Sequence, residues 1–86
     1  MPKQLAINLG HYIVADPEIC HGKPTFRGTR IMVSQVLSQV ATGMSWDSIA
    51  AEWRGKVNNK AIAEAIKLAG RIFEDHAKDY AESLSA

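Results

Sequence analysis

The feature that most constrains the fold is a long run of apolar residues at helical spacing in the C-terminal third of the chain. The run follows Asn58, a candidate N-cap, and predicts a helix from Asn59 to about Leu84. Its apolar positions are Ile62, Ala65, Ile66, Ala69, Phe73, Ala77, Tyr80 and Leu84. Such a helix would be roughly 39 Å long, which is longer than a three-helix core of this size needs. Its second half must therefore contact another surface or fray.

Two shorter helices precede the long one, and each is bounded by residues typical of helix ends. Apolar spacing predicts the first over Val33 to Thr42, and Gly43 follows where a left-handed C-cap residue belongs. Ser45 is a good N-cap for a second helix, Ser45–Trp53, which Gly55 ends. The predicted buried stripe of this helix is Trp46, Ile49, Ala50 and Trp53. Both tryptophans are therefore interpreted as core anchors rather than as platforms for stacking bases.

The N-terminal third predicts short extended segments. "HYIVAD" combines β-branched and aromatic residues between turn-forming residues, and "TRIMV" is a second extended run that leads into the first helix. The sequence therefore predicts a mainly α fold in a single domain, 1–86. Its parts are 11–33 with the strands and a turn, 33–69 with the helical core, and 70–86 with a C-terminal helical extension.

The composition excludes several classes of protein. With Cys20 as its only cysteine, the chain has no disulfide framework and no paired-cysteine metal site. The N-terminal residues lack the apolar core of a signal peptide, and no stretch approaches the ~20 apolar residues of a membrane span. We therefore expect a reduced, cytoplasmic protein.

The charges are unevenly distributed, although the formal net charge is only +1. The segment from Cys20 to Lys60 carries six cations and two acidic residues, whereas the segment from Ala61 to Ala86 carries three cations and five acidic residues. A basic middle and an acidic tail favour a polyanion at one end of the molecule and a different partner at the other.

The segment "GKPTFRGTR", from Gly22 to Arg30, is the densest group of special residues in the chain. It is not a phosphate-binding P-loop, because Pro24 follows the first two residues and removes a backbone donor. Cys20 and His21 precede it, and in an extended segment their side chains would point to opposite faces. Because no nucleophile–base pair or metal-ligand spacing is evident, we expect no enzyme activity, no metal and no cofactor.

Two interpretations of this segment remain open. In the structural one, its glycines and proline shape a turn, Thr29 hydrogen-bonds that turn, and Arg30 ties the loop to a carboxylate or to helix C-terminal carbonyls. The residues assigned to the turn are Gly22, Pro24, Gly28, Thr29 and Arg30. In the functional one, Lys23, Arg27 and Arg30 reach nucleic-acid phosphates; this interpretation is favoured for Lys23 and Arg27, because nothing nearby in sequence pairs with them.

A series of short motifs in fixed order resembles the small bacterial domain-of-unknown-function family 433. The motifs are Asp16-Pro17, Gly22-Lys23-Pro24, Gly28-Thr29-Arg30, the apolar helix from Val33 to Thr42, and Gly43-Met44-Ser45. The resemblance covers about Tyr12 to Ala69. The acidic run from Phe73 onward departs from the shared pattern.

This resemblance implies a homeodomain-like three-helix fold with a small N-terminal β element. Members of the family are commonly regarded as antitoxin-like proteins, often encoded beside a small PIN-like nuclease toxin. The resemblance therefore implies a DNA-binding regulator that also binds a toxin.

In that fold, the second helix, the "RGKVN" turn and the start of the third helix form a helix-turn-helix, with the third helix in the major groove. The predicted DNA contacts are Lys23, Arg27, Arg54, Lys56, Asn58, Asn59, Lys60 and Lys67. Arg54 and Lys56 are expected on phosphates. Asn58, Asn59 and Lys60 are expected at base edges, and Lys67 follows on the polar side of the helix.

A plainer alternative is that Asn58 is only an N-cap and that Lys60 pairs with Glu64 on a solvated helix face. One protomer with four or five phosphate contacts would also bind DNA weakly and with strong salt dependence. The DNA hypothesis therefore implies a homodimer, and the strand His11–Ala15 is one candidate edge for it.

The C-terminal extension is the element most typical of a partner-binding site. Its apolar positions recur on an acidic background, as in helices that lie in a groove of another protein. The predicted partner contacts are Phe73, Ala77, Tyr80 and Leu84. The sequence leaves open whether they bind the toxin or form the dimer interface. We expect an antitoxin-type, DNA-binding regulator, and the alternative is an interaction module that binds only protein.

Overall fold

The computed structural model describes residues 5–85, so residues 1–4 and 86 of the predicted domain lie outside the described residues. In chain order the elements are β1 (Ile7–Asn8), β2 (Ile13–Ala15), a one-turn segment (Cys20–Gly22), β3 (Pro24–Phe26), α1 (Val33–Ala41), α2 (Trp46–Glu52) and α3 (Asn59–Ser85). The three predicted helices, the small N-terminal sheet and the long C-terminal helix are confirmed.

The strands form one antiparallel sheet in which β2 lies between β1 and β3. Ile7 of β1 pairs with Ala15, and Ile13 pairs with Phe26 of β3. Because both sides of β2 are occupied, the expectation that His11–Ala15 offers a free edge for a dimer is wrong.

The other strands differ from the sequence prediction. β1 was not predicted, and the second extended run was expected at "TRIMV" but lies earlier, at Pro24–Phe26. From the expected run, only Met32 joins the sheet, through an isolated bridge to Thr25. Strands of two or three residues carry little local signal, since long-range pairing rather than periodicity defines them.

The core lies between the sheet and the inner faces of the three helices. Its most deeply buried side chains are Phe26, Ile13, Ile49, Ile62, Val36, Val57 and Thr25. Each large apolar member contributes about 1.5–3 kcal/mol relative to an exposed position. The Thr25 hydroxyl is satisfied by the Val14 carbonyl at 3.5 Å.

The two tryptophans of the α2 region occupy different environments. Trp53 is half-buried against the core, and its indole N–H donates to Gln39 Oε1 at 2.7 Å. Trp46 is 38% exposed, so its assignment as a core anchor is wrong. Side chains of a helix tilt toward its N-terminus. A residue in the first turn of a seven-residue helix therefore projects past the packed part.

The helix ends follow the predicted local signals. Ser45 Oγ accepts from the Ser48 N–H at 3.2 Å, and Asn58 Oδ1 accepts from the Ala61 N–H at 2.8 Å. Gly43 has a φ of 88° just after α1, which is the left-handed conformation predicted for it. All three caps are confirmed.

α3 has an inner half, residues 59–69, and an outer half, residues 70–85. The helix spans 27 residues and is therefore about 40 Å long. Ala61, Ile62 and Ala65 of the inner half are buried, whereas every outer-half side chain from residue 70 to 84 is exposed. The prediction that the helix outruns its own core is confirmed.

Candidate functional site

The segment before β3 is a left-handed turn, so the extended backbone used to exclude a local Cys20–His21 pair is not present. Cys20, His21 and Gly22 have φ values of 51°, 58° and 81°. For Cys20 and His21 this conformation costs about 1–2 kcal/mol each. The Cys20 thiol lies 3.5 Å from the Arg30 carbonyl, so the turn folds back on the residues that follow β3.

The turn after β3 is held by Thr29. Its hydroxyl donates to the Phe26 carbonyl at 2.7 Å and accepts from the Ile31 N–H at 3.0 Å. Gly28 has a φ of 78°, and a Cβ there would meet no atom within 4 Å. Glycine is therefore needed at this position for its backbone angle rather than for space.

Arg27, and not Arg30, holds the turn after β3 to a distant part of the chain. Its guanidinium donates to the His11 carbonyl (3.2 Å), the Gly10 carbonyl (3.0 Å) and Asn8 Oδ1 (3.0 Å). The Arg30 side chain is exposed and has no hydrogen bond or ion pair to any residue between 5 and 85. The expectation that Arg30 ties the loop to a carboxylate or to helix carbonyls is therefore wrong. Its guanidinium remains available for contacts outside the chain.

Cations from two distant turns meet around the α2–α3 connection. Arg30, Arg54 and Lys56 line one open groove, and Lys56 also lines a neighbouring groove with Arg27. Lys60 lines the next hollow, at the start of α3. We call these five exposed cations, Arg27, Arg30, Arg54, Lys56 and Lys60, the basic edge. Lys23, also predicted to contact DNA, lies apart from it beside Pro24, Ile72 and Phe73.

The predicted base-reading residues at the start of α3 already have partners. Asn58 Oδ1 caps the helix, and Asn59 Nδ2 donates to Asp47 Oδ1 at 3.3 Å. Lys60 and Lys67 are exposed and form no ion pair with the residues that the structure describes. The two lysines are therefore the predicted reading residues that keep their donors available.

Glu64 has a role that the sequence did not reveal. Its carboxylate accepts from the His11 N–H at 3.0 Å and from the Tyr12 N–H at 2.7 Å. The expected Lys60–Glu64 pair is therefore wrong, because Glu64 joins α3 to the loop before β2. No local signal could have identified these contacts, which span 53 and 52 residues of sequence.

A second surface lies at the root of the outer half of α3. It is an apolar groove lined by Leu9, Ile13, Lys23, Pro24, Val33, Ser34, Leu37, Ala65, Leu68, Ala69, Ile72 and Phe73. Beyond it, the predicted partner contacts continue along the helix, with Phe73, Tyr80 and Leu84 being 68%, 60% and 70% exposed. The basic edge and this apolar surface involve opposite ends of α3.

The profile of a family described as "Protein of unknown function (DUF433)" matches residues 13–69. The chain belongs to the DUF433 family. The matched region runs from β2 through the inner half of α3, so it contains the basic edge and stops one residue before the outer half. Comparisons with curated proteins and with solved structures find no match.

Between residues 5 and 85, no three His, Cys, Asp or Glu side chains are grouped so that they could hold a metal ion. No helix in the same range has both the length and the apolar character needed to cross a membrane.

Proposed function

We propose that this DUF433 protein is a cytoplasmic, non-enzymatic, antitoxin-type regulator that binds operator DNA as a dimer. In this proposal α2, the following turn and α3 act as a homeodomain-like helix-turn-helix, and α3 also contacts a nuclease toxin. The observation that carries the proposal is the separation of two surfaces on one small chain. A cationic edge surrounds the start of α3, and an exposed apolar stripe follows its outer half.

The basic edge favours contact with a nucleic-acid backbone. Arg30, Arg54 and Lys56 come from two turns and line one groove, where Glu52 is the acidic neighbour. Guanidinium and ammonium groups gathered on one exposed face are the groups that contact DNA phosphates. Arg27 uses three of its five N–H donors within the chain, so two remain for a phosphate.

Base recognition by one protomer would be limited. Lys60 and Lys67 keep free donors, whereas Asn59 would have to exchange its contact with Asp47 before it could read an adenine. Two protomers double both the phosphate contacts and the reading residues. Recognition of an operator therefore requires the dimer.

The toxin partner rests on the family resemblance together with the apolar groove at the root of the outer half of α3. An exposed apolar groove with charged residues beside it is typical of protein-binding surfaces. The acidic residues of the outer half, among them Glu74, Asp75 and Asp79, would suit a partner with a basic face.

A second candidate is an interaction module that binds only protein. The observation that favours it is the occupation of Asn58 and Asn59 by contacts within the chain. In that case the basic edge would be a solvated surface, and the helix-turn-helix arrangement would serve packing alone.

Fluorescence anisotropy separates the two candidates. The full chain is titrated with labelled DNA from its own promoter and with unrelated DNA, at two salt concentrations. We expect preference for the promoter, and an affinity that falls with salt at a logarithmic slope of about −8 for the eight to ten phosphate contacts of a dimer.

Matched variants then test the surface itself. Arg54→Ala combined with Lys56→Ala removes four phosphate contacts from a dimer, so it should weaken binding to both DNAs and reduce the magnitude of the salt slope by about four. Lys23→Ala removes a similar charge away from the basic edge and should leave binding unchanged. Equal losses in both variants, or no preference for the promoter, would favour the protein-only module.

A further inference from the structure

The outer half of α3 carries a periodic apolar seam that begins within the DUF433 region and continues beyond it. Its members are Ile66, Gly70, Phe73, Ala77, Tyr80 and Leu84, which alternate at spacings of four and three residues. The pattern repeats every seven residues, or 3.5 residues per turn, which is the repeat of helices that pack along one another. All six positions are exposed, and the exposed fraction of Ile66 is 37%.

Gly70 has no explanation within the protomer. It lies inside a helix, where glycine is less favourable than alanine, and its φ is not in the left-handed region. A Cβ at this position would meet no neighbouring atom within 4 Å. The absence of a side chain therefore creates space that no part of residues 5–85 fills.

We propose that this seam packs against the same seam of a second copy of the chain, with the two α3 helices antiparallel. The centre of symmetry lies at residue 75, so each seam position faces the position equally far on the other side. Phe73 then meets Ala77 of the partner subunit, Tyr80 meets Gly70 of the partner subunit, and Ile66 meets Leu84 of the partner subunit. Because the contact is symmetric, every layer occurs twice.

Side-chain size selects the antiparallel arrangement. Each aromatic ring meets a small residue, so the rings fill the space beside Gly70 and Ala77 and the helices can approach closely. In a parallel pair, Gly70 and Ala77 would face their own copies and leave voids, whereas Phe73 and Tyr80 would crowd their own copies. Cavities and overpacking both disfavour that arrangement.

The available surface is sufficient for a dimer. Two copies each of Phe73 and Tyr80 expose roughly 400–600 Å² of aromatic surface, given about 150–250 Å² for a whole aromatic side chain. With Ile66, Leu84 and the stems of flanking charged residues, the total approaches about 1,200 Å², the lower limit of stable interfaces. Beside the seam, Glu74 lies on the same side as the partner's Lys78, which offsets the approach of the two Glu74 carboxylates near the symmetry axis.

Oxidative cross-linking distinguishes the two orientations. In a Cys20→Ser background, protein carrying Ile66→Cys is mixed with protein carrying Leu84→Cys and oxidised. The antiparallel seam predicts a mixed cross-link well above either self-cross-link. A self-cross-link of Leu84→Cys that exceeds the mixed product would show a parallel pair and overturn the proposal.

Sedimentation velocity measures the association itself, and the dimer should have twice the 9.4 kDa mass of the chain. Gly70→Ala improves the helix but places a methyl group against the partner's Tyr80, so the dimer Kd should rise at least tenfold. Gly28→Ala removes a glycine away from the seam and should leave the Kd unchanged in whatever fraction folds. A monomer at tens of micromolar, or a Gly70→Ala dimer as tight as the original, would overturn the proposal.

This inference rests on the dimer of the proposed function but not on its DNA. Neither experiment contains nucleic acid or toxin. If promoter preference is absent but the mixed cross-link forms, the proposed function as a regulator fails and the antiparallel dimer stands. If the chain binds the promoter but stays monomeric, the antiparallel dimer fails and DNA binding stands.

Discussion

The two halves of α3 share one amphipathic pattern but have different surroundings. In the inner half, Ile62 and Ala65 are covered by the sheet and by the other two helices, at 0% and 1% exposure. In the outer half, Phe73 and Tyr80 occupy comparable apolar positions and are more than half exposed. A periodic stripe therefore specifies a helix with an apolar face, but only the rest of the chain determines whether that face is covered.

The largest effect should come from the inner half. Ile62→Ala removes a fully buried side chain and should lower the free energy of unfolding by about 2–5 kcal/mol. Phe73→Ala, studied at submicromolar concentration to limit dimerisation, should change it by less than about 0.5 kcal/mol. Urea denaturation followed by circular dichroism measures both. Similar losses in the two variants would mean that the outer half packs on its own chain.

The second effect concerns the contact between Glu64 and the loop before β2. Glu64→Ala leaves the His11 and Tyr12 N–H groups without their acceptor and should cost about 1.5–3 kcal/mol. Glu74→Ala makes the same change on the outer half and serves as the control, with an expected shift within about 0.5 kcal/mol. Thermal denaturation compares them, and equal melting temperatures would refute the anchoring role.

The smallest effect separates Arg27 from Arg30. Arg27→Ala loses three hydrogen bonds at the surface and should lower stability by about 1 kcal/mol. Arg30→Ala should leave stability unchanged and instead weaken binding to DNA, since the Arg30 guanidinium lies free on the basic edge. Chemical denaturation measures the stability of the two variants, and fluorescence anisotropy measures their affinity for DNA. If Arg30→Ala lowers stability and Arg27→Ala does not, the structural role predicted for Arg30 would be supported instead.

Features set by neighbouring residues were predictable from the sequence. Ser45 and Asn58 were identified as N-caps, and Gly43 as a C-cap, because capping depends on a few adjacent backbone groups. The helices follow from the same local rules. The family match over residues 13–69 also agrees with the motifs that suggested it.

Features set by distant residues were not predictable. Three such features join residues that are far apart in sequence. They are the pairing of β1 with β2, the hydrogen bonds of Arg27 to the loop before β2, and the contact of Glu64 with Tyr12. The basic edge lies between these cases. The sequence shows that the middle of the chain is basic, but only the fold shows that Arg30 joins Arg54 and that Lys23 stays apart.

Because α3 is a single continuous helix, the buried face of its inner half and the apolar seam of its outer half are fixed in phase. One residue inserted after Gly70 would leave the core intact, yet it would turn the seam by about 100° and move it about 1.5 Å along the axis. The smallest change that keeps the seam within about 20° of its direction is seven residues, and it alters the helix length by about 10.5 Å. In an antiparallel dimer, the number of residues in the outer half therefore sets the distance between the two basic edges. That distance can change only in steps that preserve the direction of the seam.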